Sequence, residues 1–221
     1  LDGTEGALGH PANDWLARVR GPIAWEPLRV KLMRPTLRLP EAACALEIIM
    51  LPPDDRAERM QALEWLGRAA GEIAAHVGAG WVYVQIKVID LRKALAVSSG
   101  ARGLASTFLR LTAKDGWAAT RGLGQLLLPE VEIELSQWPD ESAARRLVGT
   151  LAVAFIDGRV PPVPSGPHVI NVGGYRCRLD VGRRGCEKGH TYGLYGALAV
   201  RPAEEDEARQ SGARISLHDG I

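Results

Sequence analysis

The segment from Ser106 to Leu135, STFLRLTAKDGWAATRGLGQLLLPEVEIEL, decides how this chain folds. Thr107 to Thr112 reads as a strand, Lys114-Asp115-Gly116 as its turn, and Trp117 to Leu128 as a glycine-punctuated apolar stretch with room for a short helix. Val131 to Leu135 (VEIEL) then alternates, which puts Glu132 and Glu134 on one face of a strand and Val131, Ile133 and Leu135 on the other. Two core strands thus bracket the middle of the protein. Gly122-Leu123-Gly124 lacks the third glycine, the Lys and the Ser/Thr of nucleotide-binding loops, so its glycines serve a turn or close packing.

On the N-terminal side, residues 1–27 mix Gly, Pro, Asn and Asp with Trp15 and Trp25 and suggest an irregular arm with one short helix near Asn13 to Arg20. Leu28 to Met33 alternates as a half-buried strand does, and Ala45 to Leu51 is apolar enough for a central strand that Pro52 and Pro53 stop. Asp54 or Asp55 caps a helix whose apolar residues recur at steps of three and four from Ala57 to Val77. Gly78 and Gly80 end it, and Trp81 to Ile89 follows as a strand. Asp90 to Gly103 combines one or two helical turns with SSGARG, which reads as a surface loop.

On the C-terminal side, Pro139 suits the first position of a helix, with Asp140 and Glu141 in its first turn and Leu147, Leu151, Ala154 and Phe155 on its buried face. The proline-rich run PPVPSGP makes a rigid surface crossing. His168 to Val172, Tyr175 to Val181 and Tyr192 to Val200 form a small antiparallel set joined by glycine-rich turns, and the acidic, polar tail from Pro202 onward is solvated or disordered. The domain reading is an arm at 1–27, one α+β domain at 28–201 and a tail at 202–221. Its sheet is mainly antiparallel, is packed by two principal helices and carries a small C-terminal β extension.

Composition narrows the classes. The chain has 221 residues, 46% hydrophobic and 24% charged, and a formal net charge of +1. Nucleic acid and membrane surfaces are poor partners for so balanced a protein. The longest apolar run, Leu147 to Ile156, is half of what spans a bilayer, and the opening LDGTEG shows no leader pattern. Three cysteines, Cys44, Cys177 and Cys186, are too few and too odd in number for a disulfide scaffold and suit a reducing compartment such as the cytoplasm.

Four constellations bear on function. Cys177, Cys186 and His190 have a spacing in which thiolate and imidazole could meet on zinc, although the knuckle spacing and a fourth ligand are missing, and His168 or Asp180 would have to supply the latter. Cys186 with His190 could form a nucleophilic pair, its thiolate favoured by Arg183, Arg184 and Lys188. Arg176, Arg178, Arg183, Arg184 and Lys188 against Asp180 and Glu187 make a basic hairpin suited to an acidic protein surface. Trp65 lies off the apolar stripe of its helix, either as an outward interface anchor or as an edge-of-core ring under the N-terminal arm.

The middle of the chain resembles a bacterial domain family of unknown function. The likeness rests on Gly116-Trp117-Ala118-Ala119-Thr120, Gly122-Leu123, Leu126 to Pro129 and Glu130-Val131-Glu132-Ile133, with the order of elements extending it over Ala42 to Val200. The basic hairpin around Arg176 to Lys188 departs from the pattern. The resemblance implies an α+β fold and a bacterial origin, and it transfers no catalytic residue.

These features together favour a non-catalytic protein-binding module, toxin-neutralising or accessory, with no cofactor, no metal and no catalytic residue assigned. Its partner-binding residues are expected at Arg176, Arg178, Arg183, Arg184, Lys188 and Trp65. The alternatives are a small hydrolase using His190 or His168 with Cys186, Asp115 or Glu130, and RNA binding through the hairpin at 176–188.

Overall fold

The computed structural model describes residues 4–24, 44–79, 81–84, 87–90, 100–160, 168–172, 174–181, 196–204 and 215–217. They fall into two compact units, Leu1–Val97 and Ser98–Ile221. The architecture is α+β with mainly antiparallel strands. Among the described residues no helix is long and apolar enough to cross a membrane.

In the N-terminal unit, β1 (Thr4–Gly9) and β2 (Leu16–Ala24) form an antiparallel hairpin, and β3 (Cys44–Met50) adds to β2. A hairpin therefore replaces the irregular arm and short helix expected at 1–27. Leu16 to Arg20 (LARVR) alternates apolar and charged residues, a period of two that suits a pleated strand better than a helix. His10 N donates to Trp15 O at 2.9 Å and closes the connection. The β2/β3 register slips between Arg20 and Ile23. Gly21 occupies this bulge because a Cβ there would run into the Leu46 side chain and stand 3.1 Å from Ala45 O.

The long helix α1 (Arg56–His76) starts where the sequence indicates, with the Asp55 carboxylate accepting from Glu58 N at 2.9 Å. Its buried residues are Ala62, Leu63, Gly67, Ala69, Gly71 and Ala74, a mostly small-residue face turned from the Leu66, Ala70, Ile73 stripe. Trp81 to Ile89 is not one strand: β4 (Trp81–Val84) pairs antiparallel with β5 (Lys87–Asp90), Val84 opposite Lys87. A run with no Gly, Pro or Asn gives no local sign of that reversal. The strand expected at Leu28 to Met33 lies outside the described residues.

The C-terminal unit is a seven-stranded sheet with the order β12-β9-β10-β11-β8-β7-β6. α2 (Ala101–Phe108) stands where SSGARG suggests a surface loop, because Ala101, Leu104, Thr107 and Phe108 recur at helical spacing and are all buried. β6 (Arg110–Lys114) turns through Asp115 and Gly116, both at positive φ, into β7 (Trp117–Arg121). An Asp-Gly pair of this kind matches the twist of an immediate antiparallel partner, which is why Trp117 to Arg121 is a strand and only Leu123–Leu126 makes a short 3-10 turn.

β8 (Glu130–Glu134) follows, antiparallel to β7 and parallel to β11 (Ala197–Pro202). α3 (Glu141–Ile156) packs on the sheet with Leu147, Leu151, Ala154 and Phe155 all buried as expected. Asp140 is its cap, accepting from Ser142 N and Ala143 N, so Pro139 stands two residues before Glu141, the first helical position, which the sequence assigns to Pro139. β9 (His168–Val172) and β10 (Tyr175–Val181) pair as the sequence predicts. They continue the main sheet through β11, so the C-terminal extension and the central strands share one surface. β12 (Ile215–Leu217) pairs parallel to β9, inside the tail expected to be solvated. Its Ile-Ser-Leu triplet fits an open strand edge despite polar flanks. PPVPSGP lies outside the described residues.

Candidate functional site

Among the described residues, the N-terminal sheet turns one face inward and leaves the other largely exposed. Ala17 on β2 is fully buried, whereas its neighbour Leu16 is 61% exposed. Arg18 pairs directly with Ile49 across the ladder, so Leu16, Arg18, Ile49 and Leu51 share the outer side. Ile49 is 51% exposed and Leu51 91%. Three large aliphatic side chains gathered on one face form a surface that a soluble fold normally keeps small.

They border an open cleft of about 1200 Å³. Its walls come from the 12–15 turn, β2, the end of β3, Pro53, and Glu58 and Gln61 on the first turns of α1. The Trp15 indole forms part of the lining and is held in place from behind: its ring centroid is 4.8 Å from that of His10 and 6.5 Å from that of Trp65. His10 in turn meets Trp65 edge-on at 5.5 Å. The imidazole Nδ1 accepts from Ala12 N at 3.1 Å, which fixes the turn carrying Trp15. Three charged groups line the cleft, Asp14, Glu58 and Arg18, all exposed.

Trp65 is thus an edge-of-core ring under the N-terminal hairpin. Arg176 is exposed on β10. Arg178 and Arg201 share the Asp180 carboxylate, donating to it at 2.8 and 3.2 Å, so Arg178 belongs to an ion cluster on the sheet. Arg183, Arg184, Cys186, Lys188 and His190 lie outside the described residues. Cys177 is fully buried against the core, and desolvation pushes its thiol up from 9.0 to about 12. A thiol held neutral in this way is a poor nucleophile. Among the described residues no group of three His, Cys, Asp or Glu side chains could hold a metal ion.

Two acids named from the sequence prove to be built into the sheet. Glu130 accepts from Thr120 Oγ1 at 2.7 Å, Gly122 N at 2.8 Å and Gly124 N at 3.3 Å, and Thr120 Oγ1 accepts from Val131 N at 2.8 Å. The carboxylate pins the Gly122-Leu123-Gly124 turn to β8, with Gly122 at φ 114°. Glu132 lies opposite Ala119 and Ala199 on the neighbouring strands and is fully buried. Asp115 sits exposed in the hairpin turn.

Sequence reasoning missed Leu16, Ile49 and Leu51. The alternation of Leu16 to Arg20 was the available signal, and the apolar run at Ala45 to Leu51 concealed it by suggesting a strand covered on both faces. Comparison with protein-family models, with curated proteins and with solved structures gives no match.

Proposed function

We propose that the chain is a non-catalytic protein-binding module that docks its partner in the cleft beside β2 and β3. The observation that carries this reading is the exposure of Leu16, Ile49 and Leu51 on one sheet face around a rigidly backed tryptophan. Desolvating such a patch supplies the driving force of association, and a fixed aromatic ring adds contact area at little entropic cost. A toxin-neutralising or accessory role in the bacterial cytoplasm is the concrete form of this function, because it needs stoichiometric capture and no turnover.

Affinity capture from source-cell lysate tests the reading, with wild type beside an Ile49→Lys/Leu51→Lys variant and an Arg176→Glu/Arg183→Glu/Arg184→Glu variant. A stoichiometric protein lost only in the first variant supports docking at the cleft. Loss only in the second moves the surface to the basic hairpin. Retention of nucleic acid, or of no protein at all, refutes the proposal.

A further inference from the structure

The cleft carries information about its occupant. Two of its three charged linings are acids, Asp14 and Glu58, against one base, Arg18. Both acids are exposed, and among the described residues no ion pair or side-chain hydrogen bond occupies either carboxylate. Asp14 immediately precedes Trp15, and Glu58 lines the same cleft from the first turn of α1. Asp54, in the segment leading into α1, is fully exposed and stands 3.7 Å from Arg59. The cleft thus combines an aromatic ring with a lining in which acids outnumber bases.

An indole that shares a cleft with two such carboxylates suits a cation. The ring face attracts an ammonium or guanidinium group through its quadrupole, and the carboxylates supply long-range complementarity. The same cleft is also lined by Leu16, Ile49 and Leu51, against which an aliphatic side chain gains by leaving water. Resting on the proposed binding function, we propose that the cleft takes a segment of a partner protein that combines lysine or arginine with aliphatic residues. The cation sits between Trp15, Asp14 and Glu58, and the aliphatic side chains cover the Leu16, Ile49 and Leu51 strip. An acidic segment would meet two like charges in the cleft, and an all-polar one would leave the aliphatic strip wet.

Isothermal titration with defined probes separates these cases: a short synthetic peptide of alternating leucine and lysine, its leucine and glutamate counterpart, and a serine and lysine control. The leucine and lysine peptide is expected to bind about tenfold more tightly than either of the others, a ratio consistent with a few rim charges acting together. In an Asp14→Asn/Glu58→Gln variant the preference over the glutamate peptide should fall to about twofold or less, while Ile49→Lys should abolish binding of every probe. Circular dichroism of each variant checks that the fold is kept. Equal binding of the lysine and glutamate peptides overturns the inference while leaving the docking function standing. Binding of none overturns it as well, and lysate capture then decides the function separately. Sedimentation of the unliganded protein covers the last case: a dimer dissolved by Leu51→Lys would make a second copy the occupant and refute the basic partner.

Discussion

Replacing Glu130 by Ala tests the central claim about the β7/β8 region, that one buried carboxylate holds the glycine turn. The substitution removes the acceptor of two short hydrogen bonds, from Thr120 Oγ1 at 2.7 Å and Gly122 N at 2.8 Å, and of a longer one from Gly124 N at 3.3 Å. Hydrogen bonds to a charged group contribute roughly 1.5–3 kcal/mol each, so the two short ones put the loss at about 3–6 kcal/mol. That is a large share of the ~5–15 kcal/mol by which a domain is stable. Glu130→Gln keeps one carbonyl oxygen for the glycine amides but turns an NH2 group toward Thr120, and should cost about half as much. Urea unfolding gives the total, and hydrogen exchange at the Gly122 and Gly124 amides gives the local effect. Protection at these amides should fall in both variants, and a double-mutant cycle with Thr120→Val should show coupling of about 1 kcal/mol or more. If Glu130→Ala stays within about 1 kcal/mol of wild type with both amides still protected, the carboxylate is not the anchor described here.

Further outcomes follow from the same geometry. In a Cys44→Ser/Cys186→Ser background, Cys177 should resist thiol reagents in native buffer and react fully in denaturant. Because its folded pKa is raised from 9.0 to about 12, the buried thiol contributes its full stabilisation below pH 9. That contribution is lost as pH climbs toward 12, a fall of up to about 4 kcal/mol relative to Cys177→Ala. Trp65→Ala should cost about 1–3 kcal/mol by uncoupling the helix from His10 and Trp15, with most of it restored by Trp65→Phe in thermal melts. Asp180→Asn should cost about 1–3 kcal/mol, since it removes the charge that Arg178 and Arg201 share; salt-dependent melts would expose the resulting repulsion.

The sequence alone determined the elements whose signal is local. α3 was legible because its cap and its apolar spacing both act within one or two turns, and β9 and β10 because alternation and a double glycine define a hairpin without help from elsewhere. The Asp115-Gly116 turn was legible too, although its consequence for Trp117 to Arg121 was missed. Only the tertiary structure decided the parallel pairing of β8 with β11, the seating of β12 on β9 and the pairing of β2 with β3, since no local pattern encodes which distant edge a strand meets. The same limit explains the site. The burial of Glu130 and Glu132 was not legible, because alternation shows which side chains share a face and not whether that face is covered. Ile49 and Leu51 looked like core because apolarity records a preference for burial, and Leu16 was lost in the expected arm; all three lie on a face that the described fold leaves open.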